Sequence, residues 1–289
     1  MRRTTGVLLG AWLACACAPR VSEGEPSRSQ TVVIDDVQIR IQYLAEDEGA
    51  ARDVAEALAE AVPRAQRWGA LRVPVTIVLH PSHEALEAAV HREGYDWLRA
   101  WARYASIDVQ SPRTWSLFGP DGQQIQELLA HELTHCVMYQ AAATEWSWSY
   151  KSIPLWFREG MASVTAEQGY RRSGPEPVWR FYAAASTGAG AGDGTGGSGG
   201  RTPRRVSGDP LSDPDPLYQS EADLVYGTAH LAFQFLVSRY GEERVQKVLA
   251  SMSVGHLFPD AFGSAIGIPV EEFEADFRRY IAWHGWRAR

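Results

Sequence analysis

The sequence is poor in cysteine and contains no apolar run long enough to cross a membrane. Three of its 289 residues are cysteines. Only Cys136 lies outside the N-terminal segment, so no disulfide can close within the body of the chain. We therefore expect Cys136 to be a small, buried, apolar residue.

The chain also lacks an excess of positive charge. Its formal net charge is -7 at pH 7, with 28 basic and 35 acidic residues. A protein that binds the phosphate backbone needs a basic face, so this balance argues against a nucleic-acid partner. The content of 45% hydrophobic residues is typical of a soluble globular protein.

The first 17 residues have the pattern of an export signal. Arginines are followed by a short apolar run, Gly6 to Leu13, and then by small residues. One interpretation is a secretory signal cut near Ala18. We favour a lipoprotein signal with Cys15 or Cys17 as the lipidated residue, although neither has the leucine three positions earlier that such signals carry. The chain would then lie in the bacterial envelope, anchored by an N-terminal lipid.

A polar stretch at residues 18–30 suits a flexible tether, and residues 31–289 are expected to form one domain. Within it, a segment rich in glycine and then proline, at about 185–216, is expected to be disordered. Strand patterns come first and helical patterns later, which predicts an α+β fold: a small mixed sheet with helices, followed by a mostly helical half. The predicted strands and helices cover Thr31 to Tyr43 (a hairpin), Ala50 to Trp68, Val73 to His80, Glu84 to Val90, Tyr104 to Gln110, a helix after Asp121, a helix after Pro154, Glu221 to Tyr240, Glu242 to Met252 and Val270 to Trp286.

The segment that carries chemistry is an H-E-x-x-H sequence from His131 to His135. Residues four apart on a helix differ by about 40° in angle, so both imidazoles point toward one ion. Glu132 lies beside that face, close enough to take a proton from a metal-activated water. The alternative is a pair of surface histidines on an amphipathic helix. We favour zinc, which takes three protein ligands in catalytic sites.

A second segment, Ile153-Pro154-Leu155-Trp156-Phe157-Arg158-Glu159-Gly160-Met161-Ala162, resembles the P-x-W-x-x-E-G-x-A element of the gluzincins, in particular the bacterial peptidase-MA-like group. The resemblance, which spans about residues 107–240, implies a zincin-like helical half with the active-site helix at its start. It also implies that Glu159 is the third zinc ligand. The alternative is a solvated helix carboxylate. A glycine at position 160 would let two helices approach closely.

The same resemblance implies a hydrogen-bond donor for the oxyanion. A tyrosine followed by glycine opens the family's third helical segment, which assigns this role to Tyr226. His230, one helical turn later, is the rival; the alternative for both is a helix residue with a satisfied polar tip. One departure concerns Ser163, which stands where several gluzincins have an acidic residue that orients a zinc-binding histidine.

Aromatic residues at alternate positions, Trp146, Trp148 and Tyr150, lie between the two motif helices. They could line a substrate cleft, but we favour one buried face. The strand Tyr104 to Gln110 is expected to be the sheet edge above the site, where an extended peptide could pair.

These features together predict zinc-dependent hydrolysis of peptide bonds, with a peptide or protein substrate and a monomeric chain. We favour an endopeptidase, because no motif for binding an N-terminal amine is recognisable. One rival is a zinc-binding envelope lipoprotein without catalytic activity that acts as a scaffold. The other is a metal-independent adhesion or assembly module.

Overall fold

The computed structural model describes residues 28–117, 119, 121–186, 208–218 and 220–284. The expected signal peptide, most of the expected tether and the glycine-rich part of the insert lie outside the described residues. Within them the fold is α+β, as predicted, with a five-stranded sheet in the N-terminal part and a mostly helical C-terminal half.

The strands are β1 (Arg28–Ile34), β2 (Val37–Tyr43), β3 (Val75–His80), β4 (Ala100–Ala102) and β5 (Ser106–Gln110). The α-helices are α1 (Glu48–Gln66), α2 (His83–Val90), α3 (Gly122–Ala142), α4 (Leu155–Thr165), α5 (Pro175–Ser186), α6 (Ala222–Tyr240), α7 (Glu242–Ser253), α8 (Phe258–Ile266) and α9 (Val270–His284). None of the helices in this part of the chain combines the length and apolar character needed to cross a membrane.

The sheet is mixed, with the strand order β1-β2-β3-β5-β4. The hairpin β1–β2 is antiparallel, β2, β3 and β5 are parallel, and β4 returns antiparallel to β5. The edge strand near the helical half is therefore β4, and the expectation that Tyr104 to Gln110 forms that edge is wrong. The chain reverses between these strands, with Arg103 N–H donating to the carbonyl of Ser106 at 2.7 Å.

Helix α3 is the central element. It contacts α1, α4, α7 and the strands β4 and β5, and every residue from Leu129 to Ala142 is buried. Cys136 is among them and donates to the carbonyl of Arg103, as expected for a buried thiol without a partner cysteine. The H-E-x-x-H segment thus lies on a helix enclosed by both halves of the chain.

Two boundaries differ from the sequence predictions. Strand β1 begins at Arg28, so the last residues assigned to the tether are paired with β2, Arg28 lying opposite Tyr43. Helix α1 ends at Gln66, short of the predicted Trp68; it runs through Pro63, and the buried residues Val62 and Ala65 hold its last turn against the core.

Candidate metal centre

The two histidines of α3 face the same space. Asp121 caps the helix by accepting the N–H of Gln123 at 3.0 Å, and the regular turn that separates His131 from His135 brings their Nε2 atoms to 3.3 Å. Both side chains are buried. The alternative of two surface histidines is therefore incompatible with the structure.

Helix α4 supplies the third side chain. Pro154 stands at its N-cap, and the helix presents Oε2 of Glu159 at 3.5 Å from Nε2 of His131 and 3.7 Å from Nε2 of His135. The three donor atoms lie within 4.8 Å of one another, a group that could hold a metal ion. Glu159 is thus not a solvated carboxylate.

The spacing of these donors fits a small ion. Zinc–nitrogen and zinc–oxygen bonds of about 2.0–2.1 Å at a tetrahedral angle separate the donor atoms by ~3.3 Å. The observed separations are 3.3, 3.5 and 3.7 Å. Two imidazoles and one carboxylate supply three ligands and leave a fourth position for water or a substrate carbonyl.

The histidines differ in how they are oriented. Nδ1 of His131 lies 3.1 Å from Oε1 of Gln168, and an amide oxygen only accepts, so the proton is on Nδ1 and Nε2 keeps its lone pair for a metal. Nδ1 of His135 is buried and has no hydrogen-bond partner among the described residues. Its ring instead stacks on Tyr139, with centroids 5.9 Å apart.

Ser163 does not take over the role of the missing acid. Its hydroxyl lies 3.0 Å from Nδ1 of His230 and contacts neither histidine of α3 through a hydrogen bond in the described part of the chain. The orienting group is Gln168, five positions further along, in a short 3₁₀ helix, Gln168–Arg171. The sequence offered no signal for it, because that segment has no helical or strand periodicity.

Glu132 lies between the metal ligands and the sheet edge. Ala102 of β4 lies close enough for its backbone N–H to stabilise the charged form of this carboxylate. Burial raises the pKa of Glu132 to about 7; the charge of Glu159 adds to this, while His131 and the Ala102 N–H oppose it. A carboxyl group in this range can both accept and return a proton near neutral pH.

Glu159 is held in the ionised form. Burial alone would raise its pKa, but His135, His131 and Arg158 together bring the pKa well below its ordinary value. Nε of Arg158 donates to Oε1 at 3.3 Å, which leaves Oε2 directed at the histidines. The carboxylate is thus available as a charged ligand.

The structure distinguishes between Tyr226 and His230, the two candidate hydrogen-bond donors to the oxyanion. Tyr226 lines the cleft above the three donor atoms, whereas His230 is not among the residues that line it. Tyr218 lies beside Tyr226, with ring centroids 6.0 Å apart, and the charge of Arg158 acts on Tyr218. Burial, with the charge of Glu159, raises the pKa of Tyr226 well above its ordinary value, so it remains a donor.

Tyr218 was missed in the sequence because it follows the proline-rich stretch that was expected to be disordered up to about residue 216. Residues 208–218 are instead structured. Asp209 and Asp213 form a β-bridge, and a 3₁₀ helix covers Asp215–Leu217. Arg278 of α9 holds this segment through both carboxylate oxygens of Asp209, at 3.1 and 3.2 Å.

The cleft has a volume of about 1060 Å³. His131, His135 and Glu159 form its floor, and its walls come from the segment before and through β4 and from residues 214–218. Aromatic contacts join the two walls: the ring of Trp97 lies 5.9 Å from that of Tyr226, which lies 6.0 Å from that of Tyr218.

The aromatic residues between the motif helices do not form one buried face. Trp146 is 93% exposed, while Trp148 is partly buried and packs on Tyr139 and Tyr104. The side chain of Tyr150 lies outside the described residues. The preferred interpretation is therefore wrong for Trp146, because the connection after α3 carries that residue into solvent.

No protein-family model matches the chain, and no curated protein matches it. Among solved structures, the chain is similar to the crystal structure of Legionella pneumophila aminopeptidase A in complex with aspartic acid, with 13% sequence identity and a TM-score of 0.49. The match covers 88% of this chain and 28% of that one, so the chain spans little more than a quarter of the length of that aminopeptidase. A likeness of this degree carries no argument about activity.

Proposed function

We propose that this chain is a zinc-dependent metallopeptidase that hydrolyses peptide bonds in the bacterial cell envelope. The observation that carries the proposal is that donor atoms of His131, His135 and Glu159 lie close enough together to bind one metal ion. Glu132 lies beside the two histidines on α3. A site that only stabilises a fold does not require such a neighbouring carboxyl group, whereas hydrolysis requires a general base.

The ligands determine which metal the site would prefer. Two imidazoles and one carboxylate, with one open position, suit zinc better than calcium or magnesium, which take oxygen ligands. Bound zinc would supply a Lewis acid that polarises a carbonyl and acidifies water. His131, His135 and Glu159 would hold it, and Gln168 would fix the tautomer of His131.

The remaining residues act on the substrate and its protons. Glu132 takes the proton of the attacking water and passes it to the leaving amine. Tyr226 donates a hydrogen bond to the oxyanion, and Tyr218 and Arg158 hold Tyr226 in place.

The sheet edge supports binding of an extended peptide. In the antiparallel pair, Arg103 and Ser106 form a hydrogen-bonded pair, as do Trp101 and Asp108, so the backbone groups of Ala100 and Ala102 point away from β5. No described strand covers that edge. A substrate strand can therefore pair there by β-augmentation, a mode that suits cleavage within a chain.

The location rests on the N-terminal sequence alone. The arginines, the short apolar run and the cysteines at positions 15 and 17 support export with lipid attachment. Globomycin-sensitive processing and metabolic labelling with a palmitate analogue test this part, with Cys15→Ala and Cys17→Ala identifying the modified residue. Secretion of an unlabelled, cleaved chain would contradict it.

The decisive test of the chemistry is Glu132→Gln. We expect this variant to keep its zinc, measured by elemental analysis, and to lose about a hundredfold to ten-thousandfold in kcat/KM on a peptide library. His131→Ala is the matched control, because it removes a ligand and should lose the metal as well.

The outcomes separate the rivals. Zinc bound at one equivalent with no cleavage of any peptide would favour the scaffold lipoprotein. No bound zinc, with no effect of chelators, would favour the metal-independent module. Cleavage by Glu132→Gln at the wild-type rate would refute the mechanism, and the same variant is the control for finding natural substrates by proteomics of envelope extract.

A further inference from the structure

The cleft differs in charge from the rest of the molecule. The whole chain carries a net charge of -7, yet six basic and three acidic side chains line the cleft, and two of the acids are Glu132 and Glu159. The basic residues are Arg92, Arg99, Lys151, Arg158, Arg171 and Arg172.

Some of these charges are already balanced within the protein. Arg158 donates to Glu159 at 3.3 Å, and Arg171 lies 2.8 Å from the buried carboxylate of Glu127. Arg99 and Arg172 have no carboxylate within 4.0 Å in the described ranges. Their side-chain hydrogen bonds to Gln110 and Gln168 go to neutral groups. These two arginines are therefore charges that a ligand could neutralise.

Arg172 is held firmly beside the metal site. Its Nη2 donates at 3.0 Å to Oε1 of Gln168, the same oxygen that accepts from His131. Its guanidinium lies 5.0 Å from the centre of the Tyr226 ring, while its Nε is buried and has no hydrogen-bond partner among the described residues. One amide oxygen thus separates the guanidinium from a metal ligand.

Arg99 stands on the opposite wall. It immediately precedes β4, and its Nη1 donates to Oε1 of Gln110 at 3.0 Å. A peptide paired with the edge of β4 would run past Arg99 at one end of the strand. Arg172 would meet the part of the substrate that lies nearest the metal.

We propose that Arg172, assisted by Arg99, binds a carboxylate of the substrate close to the scissile bond. This inference rests on the proposed peptidase function and names its substrate class. A guanidinium presents a planar fork of N–H donors that matches a carboxylate, and the pair is strongest where water is excluded. The carboxylate belongs either to an Asp or Glu side chain or to the C-terminus of a peptide.

The test compares matched peptides. One series exchanges Glu for Gln at each position around the cleaved bond, and the other exchanges a free C-terminal carboxylate for an amide. With the zinc-loaded full chain, we expect kcat/KM to be about tenfold or more higher for the anionic member of at least one series. The series that discriminates identifies the source of the carboxylate.

Arg172→Gln should reduce that ratio to near one, and Arg99→Gln should reduce it by about threefold. Arg180→Gln is the matched control: it removes the same charge from the exposed face of α5, where Arg180 pairs with Glu176, and should leave the ratio unchanged. Zinc content is measured for each variant, because loss of metal would lower both rates and leave the ratio intact.

A second readout does not depend on turnover. In the Glu132→Gln background, calorimetry with uncleaved peptide pairs should show tighter binding of the anionic member and loss of that preference on Arg172→Gln. Equal cleavage of both members by the wild type, or a preference that persists in Arg172→Gln, would overturn the inference and leave the peptidase proposal standing. If no peptide is cleaved at all, the proposed function itself fails.

Discussion

His131 is oriented by a neutral amide. Oε1 of Gln168 accepts from Nδ1 of His131 and from Nη2 of Arg172, and its own Nε2 faces the carbonyl of Glu127 at 3.5 Å. These three contacts fix which end of the amide faces the histidine. A carboxylate would add charge at this point, whereas the amide orients the ring without doing so.

Replacement of Gln168 by alanine should therefore weaken zinc binding by about tenfold to a hundredfold, because His131 loses the group that sets its tautomer. Competition with a chromogenic chelator measures the affinity. Gln168→Glu keeps an acceptor and should restore most of it. Gln124→Ala, at an exposed glutamine on α3, the helix that carries His131, is the control, and equal losses in both alanine variants would contradict the assignment.

His230 is a second residue whose surroundings determine its state. Burial, with the charge of Arg172, lowers its pKa to about 4, and its Nδ1 faces the hydroxyl of Ser163. The ring is therefore neutral at pH 7 and serves the contact between α4 and α6.

A histidine with a folded pKa below its ordinary value binds its proton more readily in the unfolded chain. Its contribution to stability is thus complete above about pH 6.5 and is lost as pH falls toward 4. We expect His230→Gln to reduce the loss of unfolding free energy between pH 7.5 and 5 by about 1 to 2 kcal/mol. Urea denaturation at the two pH values measures it. His256→Gln, at an exposed position, is the control for the substitution itself.

At this scale the sequence identified the side chains whose spacing is set by helical geometry: His131, Glu132 and His135. Resemblance added Glu159. Gln168 and Tyr218 were not predictable, because they lie on irregular segments where no periodicity links sequence position to position in space.

At the scale of elements, the site depends on how closely α4 approaches α6. A Cβ at Gly160 would lie 2.3 Å from the carbonyl oxygen of Ala229 and 2.5 Å from Cβ of Phe233. The two helices are thus in contact at backbone level, as the sequence predicted for this glycine. Glu159 is the adjacent residue, so the same contact sets the position of its carboxylate.

Gly160→Ala should lower the unfolding free energy by about 2 to 3 kcal/mol, because the added methyl group would force the backbone of Ala229 and the buried side chain of Phe233 away from α4. It should also weaken zinc binding by displacing Glu159. Gly49→Ala on α1 is the matched control, since nothing lies within 4 Å of the added carbon, and it should be neutral or slightly stabilising. Thermal unfolding with and without zinc distinguishes the two effects; a Gly160→Ala chain as stable as the control would refute the close approach.

Elements with long apolar periodicity, such as α1, α3 and α6, were predicted to within a few residues. Three were missed for physical reasons. β4 has only three residues, too few to show alternation. α5 opens with two prolines in its first three positions, and α8 is a nine-residue helix containing Pro259 and Gly263, so both have the composition of loops.

At the scale of the whole molecule, α9 stabilises one wall of the cleft although none of its described residues lines the cleft. Arg278 of α9 binds both oxygens of Asp209 and the hydroxyl of Ser212 at 2.8 Å. These contacts hold the segment that leads to Tyr218. The cleft wall is therefore anchored by a residue six positions before the end of the described chain.

Arg278→Ala should loosen that segment without touching the metal ligands. We expect zinc binding to be retained, kcat/KM to fall by about threefold to tenfold, and amide exchange in residues 208–218 to accelerate. Arg279→Ala is the control, because the neighbouring arginine is mostly exposed and pairs with Asp276 on the same helix. If exchange in 208–218 stays slow in Arg278→Ala, the wall is held by other contacts.

The enclosure of α3 has a consequence for how this protein fails. Segments that carry ligand-binding residues often belong to the parts of a structure that unfold most easily. Here His131 and His135 lie on α3, which is buried and contacts both the sheet and the helical half. We therefore expect no folded species in which His131 and His135 are displaced from the core. On heating, release of a bound metal and global unfolding should therefore occur in one transition, and a chain inactivated by heat should be unfolded as well.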